Sequence, residues 1–252
     1  MRVGLCLLFL FNLLLFHPED NAGDEAARQI MRRAVERFDV DAIYAEFTMK
    51  VIRPGWESDM RFKVWTNTEE YALVLITDPP RERGQAFLKR GDDLWHWIPS
   101  IDKTIKMSAA LLSQPWMGSD FSLNELIRNS SMANDYAHFD LGSDTLNGIY
   151  CHVLELRPNQ TAPVVWESIR MWIDVDHFDQ LQLGYYDHSG QMAQLLQASG
   201  FQKFGDRRMP SRMEMTPMNK SGSKTIIEIE TYQFNPILEP GFFSLQNMRR
   251  LR

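Results

Sequence analysis

Apolar and polar residues alternate along most of the chain with the period of two that is typical of β-strands. In residues 44–51, for example, Phe47 and Met49 lie between polar neighbours, which predicts a strand with one buried and one wet face. The same kind of pattern predicts strands at 60–65, 85–89, 94–98, 104–107, 138–146, 149–157, 167–174, 180–186, 192–200, 209–216 and 224–234, and a continuous apolar run predicts one more at 71–77. Asn147-Gly148 joins two of these strands and is a strong β-hairpin signal.

Two segments have a helical period instead. Residues 24–38 carry apolar or small side chains at helical spacing, with arginines on the other side. Ser122 and Glu125 have the spacing of a capping box, in which each side chain bonds the backbone N–H of the other residue. A short helix from Leu123 to about Asn129 is therefore predicted.

The succession of strands with few helical interruptions predicts one β-rich domain over residues 23–252. No linker, low-complexity segment or internal repeat divides this range. We therefore expect a mainly β (α+β) fold with one large, strongly curved antiparallel sheet. The strand at 71–77 is apolar on both faces, so we expect it to be covered on both sides.

The first residues have the pattern of an export signal. Arg2 precedes an apolar run that ends at Phe16 and is shorter than the roughly 20 residues needed to cross a bilayer. We expect residues 1–22 to be a signal peptide, removed near Ala22. An uncleaved N-terminal anchor is the alternative, because Asp20 and Ala22 make a poor cleavage site.

Charge and candidate chemistry argue against several classes of function. The chain has 27 basic and 33 acidic residues; without residues 1–22 the counts are 26 and 31, a net charge of −5, which does not suit a nucleic-acid partner.

Cys151 is the one cysteine left without residues 1–22, and its strand pattern predicts a buried, inert thiol. Asp174-x-Asp176-His177 is the nearest pattern to a metal motif, but a solvated turn is the better interpretation. We expect no enzyme activity, no metal and no cofactor, since no nucleophile elbow, phosphate loop or paired-carboxylate pattern occurs.

Three short motifs resemble a known family in their order and spacing. They are Gly84-x-x-Phe87-Leu88-Lys89, Leu94-Trp95-x-Trp97-x-Pro99 and Trp116-Met117-Gly118-Ser119-Asp120-Phe121. With the leading helix and the closing Pro240-Gly241-Phe242-Phe243, they resemble the outer-membrane lipoprotein-sorting family, the LolA/LolB-like periplasmic carrier superfamily, in an uncharacterised branch. The resemblance implies an open, unclosed antiparallel β-barrel of about eleven strands with helices covering its concave face.

The same resemblance implies an apolar cavity for acyl chains, which the residues support. Acyl chains need no directional contacts, so Phe, Trp, Met and Leu side chains suffice to bind them. Trp95 and Trp97 share one face of a strand, which we expect to point inward because the indoles are its largest apolar surface. The predicted cavity residues are Phe47, Met49, Phe62, Val64, Leu73, Leu75, Phe87, Trp95, Trp97, Met107, Trp116, Met117 and Phe121. The alternative for each of them is a place in the ordinary core.

The resemblance also implies a function. It implies a periplasmic, monomeric protein that binds lipid or lipoprotein acyl chains and transports them, with an inner-membrane transporter or an outer-membrane acceptor as partner. One alternative is a periplasmic lipid-sensing or accessory module that regulates an inner-membrane exporter or a signalling partner. Another is an enzyme that acts on a lipid.

Overall fold

The computed structural model describes residues 23–36, 40–67, 70–127, 131–159 and 165–251. Within these ranges there are fifteen strands: β1 (Ala42–Arg53), β2 (Trp56–Asn67), β3 (Tyr71–Asp78), β4 (Ala86–Arg90), β5 (Asp93–Ile98), β6 (Lys103–Met107), β7 (Tyr136–Leu146), β8 (Ile149–Pro158), β9 (Ser168–Asp174), β10 (Gln180–Tyr186), β11 (Met192–Ser199), β12 (Gln202–Phe204), β13 (Arg207–Met209), β14 (Arg212–Pro217) and β15 (Lys224–Phe234). The α-helices of the same ranges are α1 (Glu25–Val35), α2 (Leu123–Ile127), α3 (Ser131–Asn134) and α4 (Leu245–Arg250). The predicted signal peptide and the last residues of both predicted helices lie outside the described residues.

Thirteen strands form one antiparallel sheet, and β12 and β13 form a separate hairpin. The order in the large sheet is β6-β5-β4-β3-β2-β1-β15-β14-β11-β10-β9-β8-β7, so the first and last strands of the chain pair in its middle. Its two edges, β6 and β7, do not pair with each other, which confirms an antiparallel sheet that is not closed into a barrel. The expected number of about eleven strands is wrong. Each of the thirteen strand ranges predicted from the sequence corresponds to a strand of the large sheet.

The two faces of the sheet carry two separate hydrophobic clusters. We call the face with the larger cluster the inner face, and the opposite face, against which α4 packs, the outer face. β3 contributes to both, because Val74 and Ile76 belong to the larger cluster while Leu73 and Leu75 pack in the smaller one with Met248 of α4. The prediction that this strand is covered on both sides is therefore confirmed.

The helix α1 buries its small and apolar face, as its period predicts. Ala27, Met31 and Ala34 are fully buried and belong to the inner-face cluster. The helix start is tied to β7, since the backbone N–H of Asp24 donates to the carbonyl of His138 at 2.7 Å. No helix among the described residues combines the length and the apolar character needed to cross a membrane.

Candidate functional site

A cavity of about 470 Å³ lies on the inner face of the sheet. β1, β2, β9, β10, β11, β14 and β15 contribute side chains to its wall, such as Phe47, Val64 and Leu196. Phe121 and residues of α2, such as Leu126, line it as well. A mainly apolar cavity of this size falls within the range of small-molecule sites, about 300 to 1,000 Å³.

The helix α2 is held by the predicted capping box. The backbone N–H of Ser122 donates to Glu125 Oε2 at 2.7 Å, and the backbone N–H of Glu125 donates to Ser122 Oγ at 3.2 Å. Leu123 and Ile127 are the buried residues of this single-turn helix. Because one turn has little stability of its own, its position depends on these bonds and on packing against the inner face.

The loop before α2, residues 114–121, folds back on itself and anchors to the inner face through Trp116. The backbone N–H of Trp116 donates to the carbonyl of Phe121 at 2.8 Å, and Met117 and Gly118 take the left-handed conformation that reverses the chain. The buried Trp116 ring meets Phe62 and Phe87 edge-on, with ring centroids 5.1 and 5.7 Å away. Edge-to-face pairs of this kind each add about 0.5–1.5 kcal/mol beyond their buried area.

A buried ionic network fixes the same loop to the end of the sheet. Arg53 of β1 lies 2.9 Å from Asp120 Oδ2, and the side chains of both are mostly buried, at 13% and 4% exposure. The Thr225 hydroxyl on β15 donates to Asp120 Oδ2 at 2.7 Å and accepts from the Asp120 backbone N–H at 3.0 Å. Arg53 also donates to the carbonyl of Gly118 at 2.8 Å. This network was not predicted from the sequence, although an Asp in a motif with Trp116, Met117 and Phe121 was a signal for it.

A small group of polar side chains faces the cavity among the apolar ones. Glu125 and the hydroxyl-bearing Tyr136 and Tyr185 all line it. Burial raises the pKa of the Glu125 carboxyl, although the backbone N–H and the hydroxyl of Ser122 donate to it. The pKa values of Tyr136 and Tyr185 are raised by burial first and then by nearby negative charge, Glu125 included.

Gln194 completes this polar group. It lies directly across from Tyr185 in the pairing of β10 with β11. Its Oε1 atom is buried and has no hydrogen-bond partner in the described part of the chain. Gln194 also lines a second, smaller cavity of about 280 Å³ that shares Asp120 and Trp166 with the first, so the two cavities are neighbours.

Nine of the predicted cavity residues lie on the inner face. Phe47, Val64 and Phe121 line the cavity. The others belong to or pack against the inner-face cluster and are absent from the cavity wall: Met49, Phe62, Phe87, Met107, Trp116 and Met117. Several of these support the anchored loop instead.

The prediction that Leu73, Leu75, Trp95 and Trp97 face the cavity is wrong. All four lie in or against the outer-face cluster under α4. On β5 the inner face instead carries Leu94 and His96, whose ring stacks on Phe87 with centroids 4.2 Å apart. The size of the indoles was a poor guide because the C-terminal segment supplies a second apolar cover, with Met248 fully buried against them.

Two groups considered for chemistry have structural explanations. Asp174, His177 and Asp179 place one ligand atom each within 4.8 Å of one another. Asp174 accepts from the backbone N–H of Asp176 at 2.8 Å and lies 3.0 Å from His177 Nδ1, while Asp179 pairs with an arginine, so we assign no metal to this turn. Cys151 is fully buried and burial raises the pKa of its thiol, which confirms the predicted buried cysteine.

Comparisons with known proteins agree with this architecture. A family model with the description "uncharacterized protein" matches residues 68–250. No curated protein matches the chain in a sequence comparison.

Solved structures with the same fold cover nearly the whole chain. A DUF1329 family protein from Desulfovibrio piger has a TM-score of 0.80 at 22% identity, covering 88% of this chain and 98% of its own. A domain named for outer membrane lipoprotein sorting, from Vibrio parahaemolyticus, has a TM-score of 0.77 at 22% identity, covering 90% and 99%. A LolA superfamily protein from Nitrosomonas europaea has a TM-score of 0.75 at 25% identity, covering 87% and 98%.

These matches confirm the resemblance that the sequence motifs indicate. The family model covers most of the chain, and the three solved structures share the fold of this chain. The chain therefore belongs to that uncharacterized family, and its fold is the one shared by DUF1329 family and LolA superfamily proteins.

Proposed function

We propose that this protein binds the acyl chains of a lipid or lipoprotein in the inner-face cavity and carries them between membranes. The observation that carries the proposal is the cavity itself, about 470 Å³ and lined mainly by apolar side chains. Burying methylene groups against such a wall is favourable by about 0.8 kcal/mol for each group. The names of two structural neighbours support the proposal, since they refer to lipoprotein sorting and to the LolA superfamily.

We infer that α2 and the loop before it shield the ligand from water and move to admit it. Both segments contribute lining residues, Phe121 from the loop and Leu126 from the helix. The loop is anchored by Trp116 and by the Arg53–Asp120 network, whereas α2 is a single turn. A short element of this kind opens at lower free-energy cost than the strands behind it. The expected helical cover of the inner face thus becomes part of the proposal.

Transfer between vesicles tests the proposal. Donor vesicles carry a fluorescent diacylglycerol or a synthetic N-acylated lipopeptide, and acceptor vesicles carry a quencher. Added protein should accelerate transfer in proportion to its concentration. Bound lipid that never exchanges, together with a stable complex with one partner, would favour the sensor or accessory module instead.

A matched pair of variants on β11 tests whether lipid transfer depends on the cavity. Leu196 lines the cavity, whereas the next residue, Gln197, is exposed on the outer face and donates to Gln182 Oε1 at 3.1 Å. Leu196→Glu introduces a carboxylate into the apolar wall, which is costly to bury without a partner. Gln197→Glu adds the same charge to the solvent side. Transfer should be lost in the first variant and retained in the second, and equal activity of the two folded variants would contradict the proposal.

We propose further that the mature protein is exported to the periplasm and acts there as a monomer. The apolar run that ends at Phe16 motivates the export. N-terminal sequencing of protein from the periplasmic fraction should begin within a few residues of Ala22. A protein that retains Met1 and sediments with membranes would show a tethered form instead.

A further inference from the structure

The chemistry of the cavity wall indicates which lipids it selects. We propose that the cavity accepts lipids whose buried polar part is an uncharged hydroxyl or amide, and that it rejects lipids with an anionic group at that position. The inference rests on the proposed function, because it names the class of lipid that the same cavity binds.

The first observation is the charge of the wall. Among the residues that the structure describes, no Lys, Arg or His lines the large cavity, whereas two acidic residues do. Asp120 is neutralised by Arg53, at 2.9 Å. Glu125 has Ser122 as its hydrogen-bond partner, and no cation among the described residues pairs with it. A buried sulfate, phosphate or carboxylate of the ligand would therefore lose its hydration, find no positive partner and lie near Glu125.

The second observation is the unused hydrogen-bonding capacity of the wall. Gln194 Oε1 is buried and has no hydrogen-bond partner among the described residues, and the hydroxyl-bearing Tyr136 and Tyr185 line the same wall. Tyr185 is only 2% exposed, and it lies across from Gln194 on the neighbouring strand. A buried polar atom without a partner is rare in native structures, so the Gln194 oxygen points to a ligand that supplies a hydrogen-bond donor.

The two observations together define the polar part of the ligand. The Gln194 oxygen requires a donor, whereas a tyrosine hydroxyl can donate or accept. A hydroxyl or an amide of the ligand both donates and accepts, whereas a sulfate or a carboxylate only accepts. A cationic group of the ligand would be attracted to the Glu125 carboxylate, but both charges would have to be desolvated. Because burial already disfavours the charged form of Glu125, this attraction is largely offset. An uncharged group fits the wall without either cost.

Three probes with the same alkyl chain test the inference: dodecanol, dodecyl sulfate and dodecyltrimethylammonium. Each competes with the neutral fluorophore N-phenylnaphthylamine for the full protein, below its micelle concentration. Dodecanol should bind at least about tenfold more tightly than either charged probe. Equal or tighter binding of dodecyl sulfate or of the cation would overturn the inference and leave the proposed function standing. If none of the probes binds, both fail.

The variant Glu125→Gln separates charge from packing. Glutamine has nearly the same shape and can take the place of glutamate in a capping box, so α2 should be preserved. Dodecyl sulfate should gain roughly tenfold in affinity relative to dodecanol in this variant. Glu228→Gln removes the same charge from the exposed side of β15 and should leave the ratio of affinities unchanged. An unchanged ratio in Glu125→Gln, or the same change in both variants, would overturn the inference.

Discussion

The loop at 114–121 should lose one of its two anchors, the ionic one, in the variant Asp120→Asn. The new amide would keep the shape of the side chain but not its charge, and Arg53 would then be left with a buried, unneutralised guanidinium. Three carbonyls still accept from that guanidinium, those of Ile52, Gly118 and Lys224, at 2.8, 2.8 and 3.1 Å. The variant therefore tests how much the negative charge of Asp120 contributes beyond hydrogen bonding.

The size of the effect follows from the burial of the pair. Breaking a buried ion pair by removing one partner costs about 3–5 kcal/mol. We expect the lower end, about 3 kcal/mol, because the carbonyls of β1, β15 and the loop continue to solvate Arg53. For a protein of this size such a loss lowers Tm by roughly 6–12 °C.

Thermal denaturation and amide hydrogen exchange measure the two consequences. Asp120→Asn should lower Tm and should speed exchange in the loop, including the Trp116 and Ser119 N–H groups that bond within it. The control is Glu57→Gln, which breaks an exposed pair with Lys50 and should leave Tm nearly unchanged. If Asp120→Asn costs no more than this control, the Arg53–Asp120 network does not fix the loop.

Three further predictions concern the cavity, the outer face and pH. Ala198→Trp should fill part of the cavity and weaken binding of dodecanol by about tenfold or more, while Tm stays within a few degrees of the wild-type value; unchanged binding would show that the ligand lies elsewhere. Met248→Ala should destabilise the protein by about 2–5 kcal/mol in urea denaturation, because it empties a fully buried site under α4, and the folded variant should still bind dodecanol; a loss of binding at full stability would contradict the separation of the two faces. Burial raises the pKa of Glu125, so its neutral form is favoured in the folded state and its contribution to stability falls as pH rises through the raised pKa. The Tm of Glu125→Gln should therefore rise relative to wild type over that pH range, and a constant difference would show that the carboxyl is not desolvated.

Local patterns in the sequence predicted most of the strands and the start of one helix. Alternation and continuous apolar runs depend only on neighbouring residues, so each strand of the large sheet could be predicted from them. The capping box likewise depends on two residues that are only three positions apart in the sequence, and Ser122 and Glu125 form it as predicted. The hairpin of β12 and β13 was missed because strands of three residues carry too little periodicity.

The choice of face and the polar group of the cavity depend on contacts that are distant in the sequence. β3 is apolar on both sides and β5 nearly so, and what distinguishes their faces is the docking of α4, more than 100 residues later. The polar group has the same origin, since Glu125, Tyr185 and Gln194 come together only through the order of strands in the sheet. Sequence spacing therefore identified Glu125 as a capping residue but not as part of the cavity wall.

Photocrosslinking with a long-chain alcohol that carries a diazirine near the end of its chain tests the central claim most directly. The probe is incubated with the full protein, illuminated and located by mass spectrometry of peptides. We predict labelling of inner-face residues such as Leu196, Met213 and Ile229, and loss of that labelling in Leu196→Glu but not in Gln197→Glu. Labelling confined to the outer face around α4, or labelling that is equal in the two variants, would contradict the claim that the inner-face cavity binds the acyl chain.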